Sequence, residues 1–366
     1  MFAKFFKYSA LVLFFIMALM ALFFAMLLWS IPYEIISRLE QGGQVKILGP
    51  ANVGKDFYRK VFSDYYIVNE IDRDVVSDEF YYAIVDNHQD WVSYDQASPY
   101  LKAAILISED WSFYEHPGVD LDQLYSAFRE FLETGRLRGA STITQQVVKN
   151  LFLDHRHSFV RKLREVIISL YMETKLSKER IFEIYLNIAH FGNLDFAREH
   201  SSDFLVKFYP RFENDLDEVE IERLNFYGVH YASLYYFNRK ASELSPRKSS
   251  FLAMLLPNPN RYNSSFYREQ LSEYARNRIY HNLNGMRILT YIDRDKMHQS
   301  LINPFEWERD GEGLMSHFTL FQLSDIESHL TPDNWIENFR PRFRKNLRLY
   351  NDSSKAFEVY YKDLGE

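Results

Sequence analysis

The chain has 366 residues, enough for one large domain or two ordinary ones. Its formal net charge is -7, so it lacks the overall positive field that attracts nucleic acid, and we expect no nucleic-acid partner. It has no cysteine, which excludes disulfides, thiolate metal sites and cysteine nucleophiles.

The first element in chain order is an uncharged segment that runs from Tyr8 to Tyr33. As a helix it is long enough to span a hydrocarbon core of about 30 Å. Lys4 and Lys7 precede it and Trp29 lies near its other end, so the positive-inside rule puts the N-terminus in the cytoplasm and the rest of the chain outside. Its apolar run is longer than that of a signal peptide and no small-residue cleavage site follows. We therefore expect a retained, single-pass anchor.

The stretch after Pro50, to about Asn87, mixes short apolar runs with charge and predicts a membrane-proximal connector with some strand character. From Ser98 onward, apolar residues recur at helical spacing, which predicts a mainly α-helical domain. Ser98 followed by Pro99 is a helix-start signal, and Ser177 with Glu179 is another. The stretch 269–283 predicts one more helix.

Two adjacent carboxylates, Glu109 and Asp110, end the apolar run 103–107. At that position at least one of them is expected to be half-buried, and desolvation raises the pKa of a carboxyl group toward the range of a general acid or base. His116 and Asp120 complete a dense turn. The alternative interpretation is an ordinary solvated helix end.

A second polar stretch, 139–150, opens with a predicted helix cap. Ser141 or Thr142 can cap the helix, and Thr142 with Gln145 fits a capping box, so free backbone N–H groups would form an anion seat. Gln145, Gln146 and Lys149 lie within one turn of each other. An ordinary capped helix with solvated polar residues is the alternative.

A third stretch, "RKLRE", places Arg161 and Lys162 on the helical face of Glu165. Such a surface ion pair alone contributes about 0.5 kcal/mol and carries no function. It is followed by "KERIFEIYLN" at 178–187, however, and the order of all these stretches is informative.

In sequence and spacing, "EDWSFYEHPGVD", "GASTITQQ", "RKLRE" and "KERIFEIYLN" resemble the successive motifs of the peptidoglycan glycosyltransferases, glycosyltransferase family 51. The resemblance covers roughly 90–267 with one interruption, and "LLPNPNRYN" makes it strongest to the monofunctional members. It implies a mainly α, lysozyme-like domain whose cleft lies against the outer leaflet of the membrane that holds the anchor. The implied reaction polymerises lipid II into β-1,4 glycan strands with inversion and releases undecaprenyl pyrophosphate.

The resemblance also implies roles for individual residues. Glu109 would be the base that deprotonates the acceptor 4-hydroxyl. Glu165, the second catalytic carboxylate, and the cations Lys149, Arg161 and Lys162 would together surround the pyrophosphate. Glu165 would do so through a divalent ion, most simply magnesium. The predicted substrate-binding positions, with scaffold and binding roles not separated, are Asp110, Phe113, His116, Ser141, Thr142, Gln145, Gln146, Lys149, Asn150, Arg161, Lys162 and Asn187.

The chain departs from the family pattern in several places. An insertion, 193–226, carries nine acids against four bases, and it could cover the cleft, bind a partner or be a solvated excursion.

Trp111, Ser112 and His157 stand where the family usually has basic residues, which puts pyrophosphate contacts there in doubt. "DHRH" at 154–157 mimics a metal site but fits a polar turn. "SPRK" at 245–248 mimics a transpeptidase motif, yet no Lys-Thr-Gly follows.

The predicted organisation has an anchor, a connector, a glycosyltransferase domain and an extension of unknown role. The bounds are 1–33, 34–89, 90–302 and 303–366. The predicted location is the inner membrane with the domain outside the cytoplasm, and the partners are lipid II, the growing glycan strand, the membrane and cell-wall synthesis proteins. The alternatives are a lysozyme-like hydrolase and a catalytically degenerate scaffold, but a hydrolase needs no pyrophosphate site and a scaffold would be expected to lose one of the two Glu residues.

Overall fold

The computed structural model describes residues 2–50, 80–135, 139, 141–153, 158–193 and 225–308. This part of the chain is mainly helical, with two short two-stranded sheets. The predicted mainly α class is therefore confirmed.

The N-terminal helices are α1 (Phe2–Trp29) and α2 (Tyr33–Glu40). Among the residues open to this test, no single helix is long and apolar enough to cross a membrane, but Leu13–Trp29 and Tyr33–Glu40 meet the requirement as a pair bent by 43°. From Leu13 onward, most large apolar side chains of α1 are exposed. The side chains that are buried lie where the pair meets the rest of the chain, and they are Leu27, Ile31, Ile36 and Leu39.

The connector contains a strand pair, which confirms its predicted strand character. Strands β1 (Gln44–Pro50) and β2 (Phe80–Val85) are antiparallel, with Gln44 opposite Val85. Arg180 joins this region to the helical domain, because its guanidinium donates hydrogen bonds to the carbonyls of Leu39 and Gly43. The residues between the two strands lie outside the described part of the chain.

In the first half of the domain, the described residues form five helices. They are α3 (Pro99–Glu109), α4 (Leu121–Thr134), α5 (Ile143–Phe152), α6 (Phe159–Lys175) and α7 (Lys178–Ile188). The predicted starts after Ser98 and at Ser177 are confirmed, and the Ser177 side chain accepts a hydrogen bond from the backbone of Arg180. Helix α5 packs against both α6 and α7, so the polar residues of these three helices are brought close together.

Strands β3 (His190–Asn193) and β4 (Asn225–Tyr227) form the second sheet. They are antiparallel, with Asn193 opposite Asn225. The predicted insertion therefore leaves and rejoins the domain on neighbouring strands. Its interior, 194–224, lies outside the described residues, as does the 154–157 stretch, so the interpretations given for them stay predictions.

The second half of the domain surrounds a buried helix, α9. The helices are α8 (Val229–Phe237), α9 (Pro246–Leu255), α10 (Pro259–Tyr262), α11 (Ser264–Tyr267), α12 (Glu273–Ile288) and α13 (Arg294–Ile302). Helix α9 packs against α3 and α12. Ser245 of the "SPRK" stretch caps α9 by accepting a hydrogen bond from the backbone of Lys248, which gives that serine a structural role.

The chain continues to pack on α9 beyond the last helix. Phe305 is buried, and its ring stacks on that of Trp307 with centroids 4.8 Å apart. Glu308 pairs with the buried Arg247 of α9 at 2.6 Å. The first residues of the predicted C-terminal extension therefore belong to the same core as the helices.

Candidate functional site

Glu109 lies at the C-terminal end of α3, where a side chain from α5 holds its carboxylate. Gln146 Nε2 donates a hydrogen bond to Glu109 Oε2 at 3.0 Å. The other end of the same amide is also occupied, because Tyr185 donates its hydroxyl hydrogen to Gln146 Oε1 at 3.1 Å. The amide is thus oriented from both sides, and it fixes the position of the carboxylate.

The surroundings of Glu109 make it a better proton acceptor than an ordinary carboxylate. Burial raises the pKa of its carboxyl group, and the neighbouring charge of Asp110 acts in the same direction. The hydrogen bond from Gln146 and the charges of Arg278 and Lys149 oppose the rise without cancelling it. The expectation that desolvation raises the pKa of one of the two carboxyl groups is confirmed. A raised pKa increases the proton affinity of the carboxylate, which a general base needs.

Asp110 faces inward and connects two elements of the site. The residue is 2% exposed. It accepts hydrogen bonds from His116 Nε2 at 3.0 Å and from the backbone N–H of Ile143, the first residue of α5, at 2.9 Å. Phe113 lies fully buried in the same turn, with its ring next to that of His116. In this structure the three side chains fix the turn after Glu109 and join it to α5.

The predicted capping box at the start of α5 is confirmed. Gln145 N–H donates to Thr142 Oγ1 at 3.2 Å, and Thr142 N–H donates to Gln145 Oε1 at 3.1 Å. Thr142 also donates its hydroxyl hydrogen to the carbonyl of Gly118 at 2.6 Å. Asn187 is bound in a similar way, because its amide exchanges hydrogen bonds with the backbone of Val92. These three side chains have scaffold roles here, and their predicted contact with substrate stays a prediction.

Glu165 lies between two cations of its own helix, as the sequence predicts. It is 2% exposed. Arg161 Nη1 lies 3.2 Å from Glu165 Oε2, and Lys162 Nζ donates to Glu165 Oε1. Lys162 also donates to Ser141 Oγ at 2.9 Å, which joins α6 to the residue before the capping box. These three side chains carry one negative and two positive charges, so their net charge is positive.

Lys149 of α5 lies within electrostatic reach of both carboxylates. Burial lowers the pKa of its ammonium group, and the positive charges of Arg161 and Lys162 lower it further. The negative charges of Glu165 and Glu109 oppose that shift. Asn150 follows on the same helix and is half-buried. The site thus places a carboxylate that accepts protons beside a cluster of three cations that suits a polyanionic group.

Arg278 of α12 is a residue of this site that the sequence reasoning missed. Its Nη2 donates to Ser108 Oγ at 3.0 Å. Glu109 follows Ser108 in the chain, and the positive charge of Arg278 acts to lower its pKa. The sequence contained one signal for this contact, a glycine inside the helix. It is Gly285, which lies seven residues, or two helical turns, further along α12 than Arg278. A Cβ at Gly285 would lie 2.9 Å from Ile107 Cγ2, so the absence of a side chain lets α12 approach α3 at this point.

No cluster of three or more His, Asp or Glu side chains that could hold a metal ion occurs within the described ranges. Glu165 contacts two of the three cations, because one of its oxygens accepts from Arg161 and the other from Lys162. Magnesium is often bound by one or two carboxylates together with phosphate oxygens of a substrate. Within the described residues Glu165 is thus a single carboxylate whose oxygens are engaged by cations, and its role as a metal ligand stays a prediction.

A family model described as transglycosylase matches residues 77–287 of this chain. Three similar proteins each bear the name biosynthetic peptidoglycan transglycosylase. The protein from Alcanivorax borkumensis is 38% identical over 48% of this chain and 59% of its own length, and that from Mannheimia succiniciproducens is 37% identical over 48% and 59%. The protein from Marinomonas sp. is 36% identical over 52% of this chain and 68% of its own length. The chain thus spans about three-fifths of the length of the first two of these curated relatives.

Proposed function

This chain belongs to the transglycosylase family, and we propose that it is a membrane-anchored peptidoglycan glycosyltransferase that polymerises lipid II into β-1,4 glycan strands. The observation that carries the proposal is the placement of Glu109, a carboxyl group of raised pKa, beside the cluster of Lys149, Arg161 and Lys162. Glycosyl transfer from a pyrophosphate donor needs both a base and an anion site. The lysozyme-like form of the domain is part of the same proposal and rests on the family membership and the helical fold.

In the proposed reaction the Glu109 carboxylate accepts the proton of the acceptor 4-hydroxyl. The resulting oxygen nucleophile forms a bond to C1 of the donor sugar while the bond from C1 to the pyrophosphate oxygen breaks. Attack from the face opposite the leaving group converts the α-linked donor into a β-1,4 product. The electron pair leaves on undecaprenyl pyrophosphate, and the proton stays on Glu109 until it is lost to solvent.

The cations would bind the departing pyrophosphate, whose negative charge increases as the bond to C1 breaks. Arg161 and Lys162 are held by Glu165 and Ser141, so they need little rearrangement when the charge develops. Lys149 would complete the set from α5. We propose that Glu165 acts by orienting these cations and by contributing a ligand to a divalent ion, most simply magnesium. When bound, that ion would neutralise part of the charge on the phosphate oxygens.

We also propose that the protein is anchored in the inner membrane, with its N-terminus in the cytoplasm and the domain outside. The bent apolar helix pair at the N-terminus supports this location. A second support is α4, whose large apolar side chains are exposed at helical spacing and could contact lipid. They are Leu121, Leu124, Tyr125, Phe128, Phe131 and Leu132. Proposed partners are the growing glycan strand and cell-wall synthesis proteins.

The test is to incubate the purified full-length chain with fluorescently labelled lipid II in detergent and separate the products by gel electrophoresis. We expect a ladder of glycan polymers that lysozyme digests. The matched control is Glu109→Gln, which keeps the shape of the side chain. Shortening of a preformed glycan without synthesis would point to a hydrolase, and binding without turnover would point to a scaffold. Either result would contradict the proposal.

A further inference from the structure

We propose that Arg278 is a positioning residue for the reaction, one that fixes the last turn of α3 and with it the place of the Glu109 carboxylate. This inference rests on the proposed function, because it assigns Glu109 the role of base. Arg278 would act through Glu109, without contact with the reacting atoms.

The first observation is geometric. Ser108 accepts a hydrogen bond from Arg278 Nη2 at 3.0 Å and donates its own hydrogen to the carbonyl of Ala253 on α9, at 3.4 Å. Ser108 thus ties α3 to α12 on one side and to α9 on the other, immediately before Glu109. The glycine at 285 permits the close approach of α12 that brings Arg278 within reach. The direction in which Glu109 points therefore depends on this junction.

The second observation concerns the balance of charge at Glu109. Besides burial, the groups with the largest effects on its pKa are the amide of Gln146, the cations Arg278 and Lys149, and the anion Asp110. Tyr185 and Tyr274 also lie close enough to be influenced by its charge, and burial raises the pKa of both phenols, so they stay neutral near pH 7. Of the two cations, we assign Lys149 to the departing pyrophosphate. Arg278 is then the cation whose effect on Glu109 persists when substrate is bound.

The third observation is that α12 provides this charge permanently. Arginine stays protonated throughout the pH range in which proteins are folded. His281, one turn further along α12, does not add a second charge, because burial, aided by the positive charge of Arg278, lowers its pKa to about 3. The Arg278 Nε atom is buried and makes no hydrogen bond within the described residues. The guanidinium is therefore held beside α3 by its contact with Ser108 and by packing.

The experiment compares Arg278→Met with Arg278→Lys and with Arg276→Met as the matched control. Arg276 lies two residues earlier on α12 and donates to the carbonyl of Leu271, and it is not among the groups with the largest effects on the Glu109 pKa. The initial rate of lipid II polymerisation is measured against pH, and the folding of each variant is checked by its melting temperature. We expect Arg278→Met to move the acidic limb of the profile up by about half to one pH unit and to lower kcat about tenfold with little change in KM. Arg278→Lys should leave the acidic limb at the pH of the parent chain, because lysine keeps the positive charge.

A second readout does not require activity. The Glu109 carboxyl resonance is identified in protein labelled with [13Cδ]glutamate by its loss in Glu109→Gln, and its pKa is followed by NMR titration. Arg278→Met should raise this pKa, whereas Arg276→Met should leave it unchanged. If the parent chain makes no polymer, the proposed function fails and the titration still decides the role of Arg278. An unchanged acidic limb and an unchanged Glu109 pKa in a folded Arg278→Met variant would overturn the inference.

Discussion

Gln146 holds Glu109 from a different helix, by a hydrogen bond of 3.0 Å from its amide nitrogen to the carboxylate. The two residues belong to α5 and α3, and Tyr185 of α7 fixes the far end of the amide. Three helices therefore determine the position of one carboxylate. Because α5 also carries Lys149, the same helix orients the proposed base and contributes to the proposed anion site.

Glu109→Gln should abolish polymerisation while the fold is retained. Glutamine keeps the size of the side chain and can still accept the hydrogen bond from Gln146, but it cannot accept a proton. We expect a loss of about 10²-fold or more in the initial rate of polymer formation from lipid II. Undiminished polymer from a folded Glu109→Gln variant would remove Glu109 from the mechanism.

The same variant should be more stable than the parent chain above neutral pH. The pKa of Glu109 is raised on folding, so its contribution to stability is fully present below the unfolded-state pKa and is lost as the pH rises through the folded-state pKa. Glutamine does not titrate. Melting curves should therefore show a gain of a few degrees for Glu109→Gln at about pH 8, with little or no gain at about pH 4. A gain that was larger in acid would contradict the raised pKa.

Lys149 should set the alkaline limb of the activity profile. Its pKa is lowered by burial, so it loses its charge at a lower pH than an ordinary lysine does. Lys149→Arg should move the alkaline limb of the polymerisation rate to higher pH, because arginine stays charged. The control is Lys175→Arg, on an exposed residue at the end of α6, which should leave the limb in place. Coincident profiles for Lys149→Arg and the parent would contradict this assignment.

Glu165→Gln should lower activity strongly and reduce the response to added divalent cation. The substitution removes the negative charge that orients Arg161 and Lys162 and that would bind the ion. We expect a loss of about tenfold or more, and a flatter curve of rate against magnesium concentration. A variant that is weakened but keeps the parent's magnesium curve would refute the metal role and leave the orienting role intact.

Replacement of the acidic insertion, 193–226, by a short turn should leave the rate of polymerisation within about threefold of that of the parent chain, because the insertion is not assigned to the site. The variant should also fold, because loop closure contributes little to stability. Asn193 lies opposite Asn225 in the strand pair, so an Asn-Gly turn can join the two strands directly. An anionic lipid surface would repel the nine acids of the segment, which favours a position away from the bilayer. A folded deletion variant without activity would show that the segment is part of the cleft.

Local signals in the sequence were sufficient for the helices and their caps. The spacing of apolar residues and the capping residues depend on neighbours within four positions, so the start of α5 at Thr142 could be predicted with its capping box. The ion pairs of Glu165 follow from the same short spacing on α6. The roles of Glu109 and Glu165 came from the resemblance to a family, because spacing alone does not distinguish a base from a surface acid.

Contacts between distant segments could not be predicted in the same way. Arg278 lies 169 positions after Glu109, and only the packing of α12 on α3 brings them together. The separation of scaffold from binding roles at Thr142, Gln145 and Asn187 likewise depends on partners such as Gly118 and Val92, which helical periodicity does not identify.

The contact between the N-terminal helices and α6 has a practical consequence for protein production. Arg164 Nε donates to Ser30 Oγ at 3.2 Å, and the rings of Tyr33 and Tyr171 meet edge to face at 5.0 Å. Helix α6 also carries Arg161, Lys162 and Glu165. A truncated form that starts after Glu40 would uncover the apolar surface that buries Ile36 and Leu39 and would remove support from the helix of the cation cluster. Expression forms for crystallisation or inhibitor screening should therefore begin no later than Leu27.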